Sequence, residues 1–210
     1  MRTAVKHLRT VDPAMDGLIS RVGRCGLKVD RAVQPYQALV RAIAYQQLHA
    51  KAAGSILARF VALYPGVDFP TPAMVLGTND SALREVGFSA GKVAAIRDIA
   101  AKAAEGLVPT RRAAARLDDA TLIEQLTQIR GVGRWTVEML LIFALGRPDV
   151  LPVDDFGVRE GYRRLHGLEQ QPRPRDLAAI GEMWAPFRSC AAWYLWRAAD
   201  DARREKNGAA

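Results

Sequence analysis

Apolar positions recur at helical spacing along almost the whole chain. Tyr36, Leu39, Val40 and Ile43 follow the i, i+3, i+4, i+7 rule of one buried helix face, and Ile96, Ile99, Ala100 and Ala103 repeat it. No stretch sustains the period-two alternation of a half-buried strand, and no βαβ pattern occurs. Helix starts are signalled by Asp12-Pro13, Thr71-Pro72 and Asp118-Asp119, each a capping residue ahead of a proline or a polar first turn. Stops are signalled by Gly77, Gly87, Gly106, Gly131 and Gly146, the last with Pro148 just beyond. This punctuation predicts an all-α array of about nine or ten short helices. Met1 to Thr10 and Asp200 to Ala210 are predicted to fray, as chain ends commonly do.

One segment departs from the amphipathic pattern. From Trp135 to Leu145 the chain is apolar nearly all round, which a water-facing helix does not tolerate, so this helix is predicted to lie buried at the centre of the bundle.

Composition narrows the class without naming it. The 210 residues are 50% hydrophobic and 25% charged, enough to bury a core and unlike a disordered or collagenous chain. Thirty Lys and Arg against 22 Asp and Glu leave a net charge of +8, which suits a polyanion or an anionic membrane surface without choosing between them. The two cysteines, Cys25 and Cys190, cannot supply four thiolates to an iron-sulfur cluster or an all-cysteine zinc site, and read as inert thiols rather than as partners. Charge interrupts Met1-Arg2-Thr3-Ala4-Val5-Lys6 before a signal-peptide core forms, and no run of about 18 apolar residues exists. A soluble, cytoplasmic protein that does not engage the membrane is expected.

Candidate chemistry centres on two places. Ile129-Arg130-Gly131-Val132-Gly133-Arg134 joins two helical segments by a very short turn. Gly131 can end the first helix in the left-handed conformation, and Gly133 lets the amide groups of the next first turn approach a ligand with no Cβ in the way. Such amides bind phosphate oxygens. Alone, a Gly-x-Gly is most often a plain helix cap. Downstream, Leu151-Pro152-Val153-Asp154-Asp155-Phe156-Gly157 opens another helix, which bears Arg159, Arg163 and Arg164. An aspartate there ordinarily caps, but two adjacent aspartates leave one to spare. A carboxylate at a helix N-terminus is favoured in its ionised form, as a group facing developing positive charge requires. The arginines form a solvated face or contact phosphate, and Arg111, Arg112 and Arg116 read as a loop charge cluster.

With Gly131-Val132-Gly133-Arg134-Trp135-Thr136 and Pro152-Val153-Asp154-Asp155 in hand, the chain resembles the helix-hairpin-helix (HhH-GPD) base-excision DNA glycosylases, within them the 3-methyladenine DNA glycosylase II branch. Leu39-Val40-Arg41-Ala42-Ile43, Gln46-Gln47-Leu48-His49 and Trp184-Ala185-Pro186-Phe187-Arg188-Ser189 leading to Trp196 support the likeness, which covers about Leu39 to Trp196. The N-terminal β-domain of some members is not expected here. The resemblance implies a single domain of two helical subdomains, one at roughly 35–115 and the other at roughly 116–200 with the N-terminal segment, and an active-site cleft between them. It implies Asp155 as the catalytic carboxylate and Asp154 as its structural neighbour. Gly131, Gly133, Arg134 and Thr136 become contacts to a DNA phosphate, and Gln47 and His49 side chains that fill the hole left by an extruded nucleotide. Trp135, Met139 and Trp196 become the base pocket. The backbone carbonyls of Thr127, Ile129 and Val132 become holders of a structural Na+ or K+, no cofactor being required for catalysis.

Two departures refine that implication. Relatives that also cut the strand carry lysine where Trp135 stands, and an indole forms no Schiff base, so the resemblance points to hydrolysis of alkylated purines such as 3-methyladenine and 7-methylguanine without AP-lyase chemistry. Met139 stands where the branch is often aromatic, which implies a roomier or differently selective pocket. The partner implied is double-stranded DNA with damaged bases, bound by a monomer. Other readings are a non-catalytic helix-hairpin-helix module that grips DNA backbone, a glycosylase for another lesion, and an all-α scaffold for protein partners. The first leaves Asp155 without a purpose, and the last makes the charge and the hairpin incidental.

Overall fold

The structure is a computed structural model that describes the backbone of residues 1–208 and the side chains of residues 1–200. The described residues are helical and contain no strand, and none of their helices is long and apolar enough to cross a membrane. The described residues form thirteen α-helices, more than the hydrophobic period suggests, because four of them are only four to six residues long and end before a repeat can show.

The chain packs as two units. One comprises residues 30–145, and the other combines residues 1–29 with residues 146–210. The division falls at 145/146 rather than near 115. Segment 116–145 therefore belongs with 30–115, and the reason is local: the helix at Arg134–Met139 and its continuation Leu140–Leu145 pack on the helix at Pro35–Tyr45.

In the second unit, α1 (Arg2–Val11) and α2 (Pro13–Val22) meet at Asp12. Its amide closes α1 on Leu8, its Oδ1 caps α2 through the Met15 amide at 3.0 Å, and its Oδ2 accepts the Trp184 indole N–H at 3.0 Å. Leu8, Met15, Leu18 and Trp184 are fully buried there. Met1 to Thr10 is thus held rather than frayed, because Ala4 and Leu8 recur at i, i+4 and face that core.

In the unit of residues 30–145, helices α3 (Pro35–Tyr45), α4 (Ala50–Ala62), α5 (Pro72–Gly77), α6 (Asp80–Glu85), α7 (Ala90–Ala104), α8 (Arg111–Ala114), α9 (Asp119–Leu126) and α10 (Arg134–Met139) follow in order. Phe60 sits in the core with Tyr64, Phe69 and Phe88 edge-on around it. Thr71 and Asp118 cap α5 and α9 as their sequence contexts foretell. Of the five stop glycines, all but Gly77 have positive φ. Arg111 is no loose surface charge: it donates to the carbonyls of Asp30, Val33 and Ala144 and so clamps the entry of this unit to its last turn.

Leu140–Leu145 continues α10 as a π-helix. Val137, Leu140, Leu141 and Ile142 are buried, as an all-apolar helix requires. Trp135 and Phe143, however, are 44% and 37% exposed, so one face of this segment is not core. Wide π turns concentrate at functional sites.

Candidate active site

Asp155 opens α11 (Phe156–Leu165), after a loop stapled to the start of α13 (Arg188–Gly208). The staple is dense: Arg188 grips both Asp149 oxygens at 2.8 and 2.9 Å. Although burial opposes ionisation of Asp149, the bonds from Arg188 hold its carboxyl below the usual carboxylate range. Buried Ser189 accepts the Val150 amide at 3.0 Å and donates to the Arg147 carbonyl at 2.8 Å. The backbone leading to Asp155 is therefore fixed before the side chain is reached.

The Asp155 side chain is fixed as well. Its Oδ1 accepts the Val158 amide at 2.8 Å, the N-cap bond, and the Trp196 indole N–H at 2.8 Å. The spare aspartate is thus not the one that was anticipated. Asp155 itself caps, while Asp154 is exposed and makes no side-chain hydrogen bond to the described residues. Trp196 is half-buried and acts on Asp155 through its N–H, a contact that its expected place in a base pocket does not contain. Glycine at 157 is the condition for that contact, since a Cβ there would stand 2.8 Å from Trp196 Cδ1 and 3.1 Å from Asp155 Oδ1. The residue between Asp155 and Gly157, Phe156, is 62% exposed, a large apolar surface left in water beside the carboxylate.

The arginines of α11 are internal braces. Arg163 and Arg164 both bind Glu160 and hold its carboxyl well below the usual range, with help from Gln171, while Arg159 donates to the Pro172 carbonyl. These internal partners set the three apart from a merely solvated face. Cys25 and Cys190 are free thiols that perturb each other, the interaction lowering the pKa of Cys25 and raising that of Cys190, so the two are neighbours rather than unrelated.

In the other unit, the turn between α9 and α10 is anchored by buried Ile129 and Val132, joined by a 3.0 Å bond from the Val132 amide to the Ile129 carbonyl. Thr127, Arg130, Gly131, Gly133 and Arg134 alternate outward. Gly131 has φ +76°, and a Cβ there would lie 3.1 Å from Ala95 Cβ. Gly133 caps α10 without a side chain and has nothing within 4 Å of its Cβ position. Thr136, one turn on, is buried, so its hydroxyl is not on the outer face where a phosphate contact would place it. Arg134 reaches out while its Nε binds buried Glu138 at 2.9 Å.

Helix α7 is the rail on which this turn and the 46–49 loop are mounted. Asp98 accepts the Arg130 amide at 2.7 Å. The Lys92 ammonium donates to the carbonyls of Ala44 and Gln46 at 2.9 Å each, and partial burial lowers its pKa from the ordinary lysine value. Gln46 then reaches across to the Gly131 carbonyl at 3.1 Å, tying loop to hairpin. Gln47 is held at φ +55°, a conformation that a non-glycine residue rarely adopts, and Gln47, Leu48 and His49 are all exposed. Beside them a pocket of about 460 Å³ is lined by Tyr45, Gln46, Gln47, Trp135, Met139 and Phe143.

A family model described as HhH-GPD superfamily base excision DNA repair protein matches residues 40–186. The chain belongs to the HhH-GPD superfamily. A DNA-3-methyladenine glycosylase 1 from Schizosaccharomyces pombe is 45% identical over 194 residues, 91% of this chain and 84% of that protein. The solved structure of a 3-methyladenine DNA glycosylase of the same yeast, in complex with abasic DNA, superposes with a TM-score of 0.83 at 44% identity, covering 93% of this chain and 95% of its own. A DNA-3-methyladenine glycosidase from Bacillus halodurans superposes with a TM-score of 0.86 at 34% identity, covering 96% and 91%.

In this HhH-GPD chain, sequence reading found the outer residues of each site and missed the inner ones. Gln46, Lys92 and Asp98 escaped because their partners lie 32 to 85 positions away. Gly157 carried a signal that went unused: a glycine inside a helix costs about 1 kcal/mol against alanine, and its presence asks for a packing reason. As to a cation, the described residues contain no group of three or more His, Cys, Asp or Glu able to hold a metal. A set of neutral carbonyls at Thr127, Ile129 and Val132 fits a hard monovalent ion rather than a transition metal.

Proposed function

We propose that this HhH-GPD protein is a monofunctional DNA glycosylase that removes alkylated purines, of the 3-methyladenine and 7-methylguanine kind, from double-stranded DNA. The observation that supports it best is the Asp155 carboxylate held through Oδ1 by two N–H donors at 2.8 Å. A carboxylate fixed before the reaction starts stabilises developing positive charge without reorganising. The names carried by the relatives agree with this reading.

A base inside a duplex cannot be reached, so its nucleotide must leave the stack, at a cost of a few kcal/mol that is lowest where pairing is already damaged. Exposed Gln47, Leu48 and His49 offer the side chains to occupy the gap. The pocket of Tyr45, Trp135, Met139 and Phe143 offers three aromatic faces, and each attracts a cationic purine by about 0.5 to 2 kcal/mol more than a neutral one. As the glycosidic bond breaks, the sugar becomes oxocarbenium-like; ionised Asp155 stabilises it and takes a proton from the attacking water. The hairpin anchors the strand by its first-turn amides, and the carbonyls of Thr127, Ile129 and Val132 would hold a Na+ or K+ whose charge faces the same phosphate. Trp135 stands where a lyase lysine would be needed, which supports simple hydrolysis.

The test is incubation with methylated duplex DNA. Free 3-methyladenine or 7-methylguanine should appear together with an intact abasic strand that breaks only on added alkali. Binding without base release would instead indicate a non-catalytic module, and spontaneous nicking would overturn the monofunctional assignment.

Gly133→Asp isolates the hairpin. Its Cβ has open space, and aspartate is a good N-cap, so the melting temperature should hold or rise slightly. The new charge meets the incoming phosphate, so DNA affinity measured by titration should fall about tenfold or more. Unaltered affinity would discount the hairpin contact.

A further inference from the structure

The aromatic pocket does not stop at Met139. A second, larger space of about 550 Å³ adjoins it, and the two share Ala42, Tyr45, Met139 and Phe143 as a common wall. The far side of the wall is lined by Val33, Ala38, Arg41 and Leu140. The cause lies in two sequences facing each other. On α3, Ala38 and Ala42 stand at i, i+4 and project nothing beyond Cβ, which leaves a trough along that helix. Opposite it, Met139 and Phe143, also four apart, flank the point where α10 widens into the π-helix. Arg41, Asp30 and Thr136 supply polar groups in a mostly apolar lining. Arg41 lies 5.8 Å over the Phe69 ring, and the Asp30 carboxylate accepts the Ala32 amide at 3.2 Å.

A site meant only for a methylated purine has no use for this extension, since one pocket of about 460 Å³ already falls in the range that takes such ligands. Met139 is the partition, and methionine is unbranched, with a side chain that swings aside at little cost. We infer that the chamber behind Met139 receives the substituent of purines alkylated with groups larger than methyl, so that the protein excises bulky N-alkylpurines such as 7-benzylguanine. This rests on the glycosylase reading above and names its substrate range. The chemistry is unchanged. The C1′–N9 bond breaks with its electron pair passing to the cationic purine, which leaves neutral; a water oxygen bonds to C1′, and its proton goes to Asp155 and then to solvent.

The experiment compares release of 7-methylguanine and 7-benzylguanine from otherwise identical duplexes by the wild-type protein and by Ala38→Phe, which places a ring in the far chamber. Wild type should release both, with kcat/KM values within about tenfold of each other, and in Ala38→Phe the ratio of benzyl to methyl release should fall at least about tenfold. Ala38→Leu, a smaller intrusion at a half-buried helix position, should fall between, and melting curves confirm that each variant is folded. Wild type that releases the methyl base but not the benzyl base overturns the inference, as does a ratio that neither variant moves. Wild type that releases neither base removes the glycosylase reading and the inference with it.

Discussion

Asp155→Asn should lower base release by about 10² to 10⁴, while leaving the melting temperature and DNA affinity close to wild type. The substitution is informative because asparagine keeps everything except the charge. It caps a helix as well as aspartate does, and its Oδ1 can still accept the Val158 amide and the Trp196 indole N–H. What it lacks is the negative charge that faces a forming oxocarbenium ion and the basicity to take a proton from water. Asp155→Ala removes the cap as well and should cost about 1 kcal/mol of stability beyond the lost activity. Single-turnover release of methylated bases, run beside a binding titration and a melt, separates these effects. Near-normal release by the asparagine variant would show that position 155 is a helix cap and nothing more.

The double duty proposed for Asp155 explains why the site was only partly legible in the sequence. Capping and catalysis place the same residue type at the same helix end, so Asp154-Asp155 announces that a carboxylate is there without saying which one does which. Asp12, Thr71 and Asp118 were easier, because a cap depends on its own next three residues and on nothing distant. The hairpin was legible for the same reason: Gly131 and Gly133 are read from local backbone demands. The aromatic pocket was not. An all-apolar run from Trp135 to Leu145 says that most of its residues leave water, yet whether Trp135 and Phe143 meet core or an open groove depends on what α3 presents opposite. Alanine at 38 and 42 decides that, and nothing in the 135–145 segment records it. The braces of Arg111, Lys92 and Arg188 were hidden in the same way. A basic side chain looks like surface until the carbonyls or carboxylates it collects are known.

The largest stability effect should come from Gly161→Ala. A Cβ at position 161 would stand 1.9 Å from the Leu195 carbonyl oxygen and 2.9 Å from its Cα. These are backbone atoms of α13, which no rotamer change can move, so α11 and α13 must part along their length. Leu195 and Tyr194 are fully buried at that crossing, and separation exposes them. The loss should exceed about 3 kcal/mol, the range of severe overpacking, and at about 2–4 °C per kcal/mol for a chain of this size the melting temperature should drop by at least about 6 °C. Gly157→Ala, one turn earlier on the same face, should behave differently. Its Cβ meets a side chain, the Trp196 ring at 2.8 Å, which can swing away, and alanine's better helix propensity offsets part of the strain. The melt should barely move, but the swing breaks the indole bond to Asp155, and base release should fall about tenfold, as loss of one orienting contact permits. If Gly157→Ala melted like Gly161→Ala, Trp196 would be acting as a packing residue. If it melted and reacted like wild type, the indole bond would contribute nothing to holding the carboxylate.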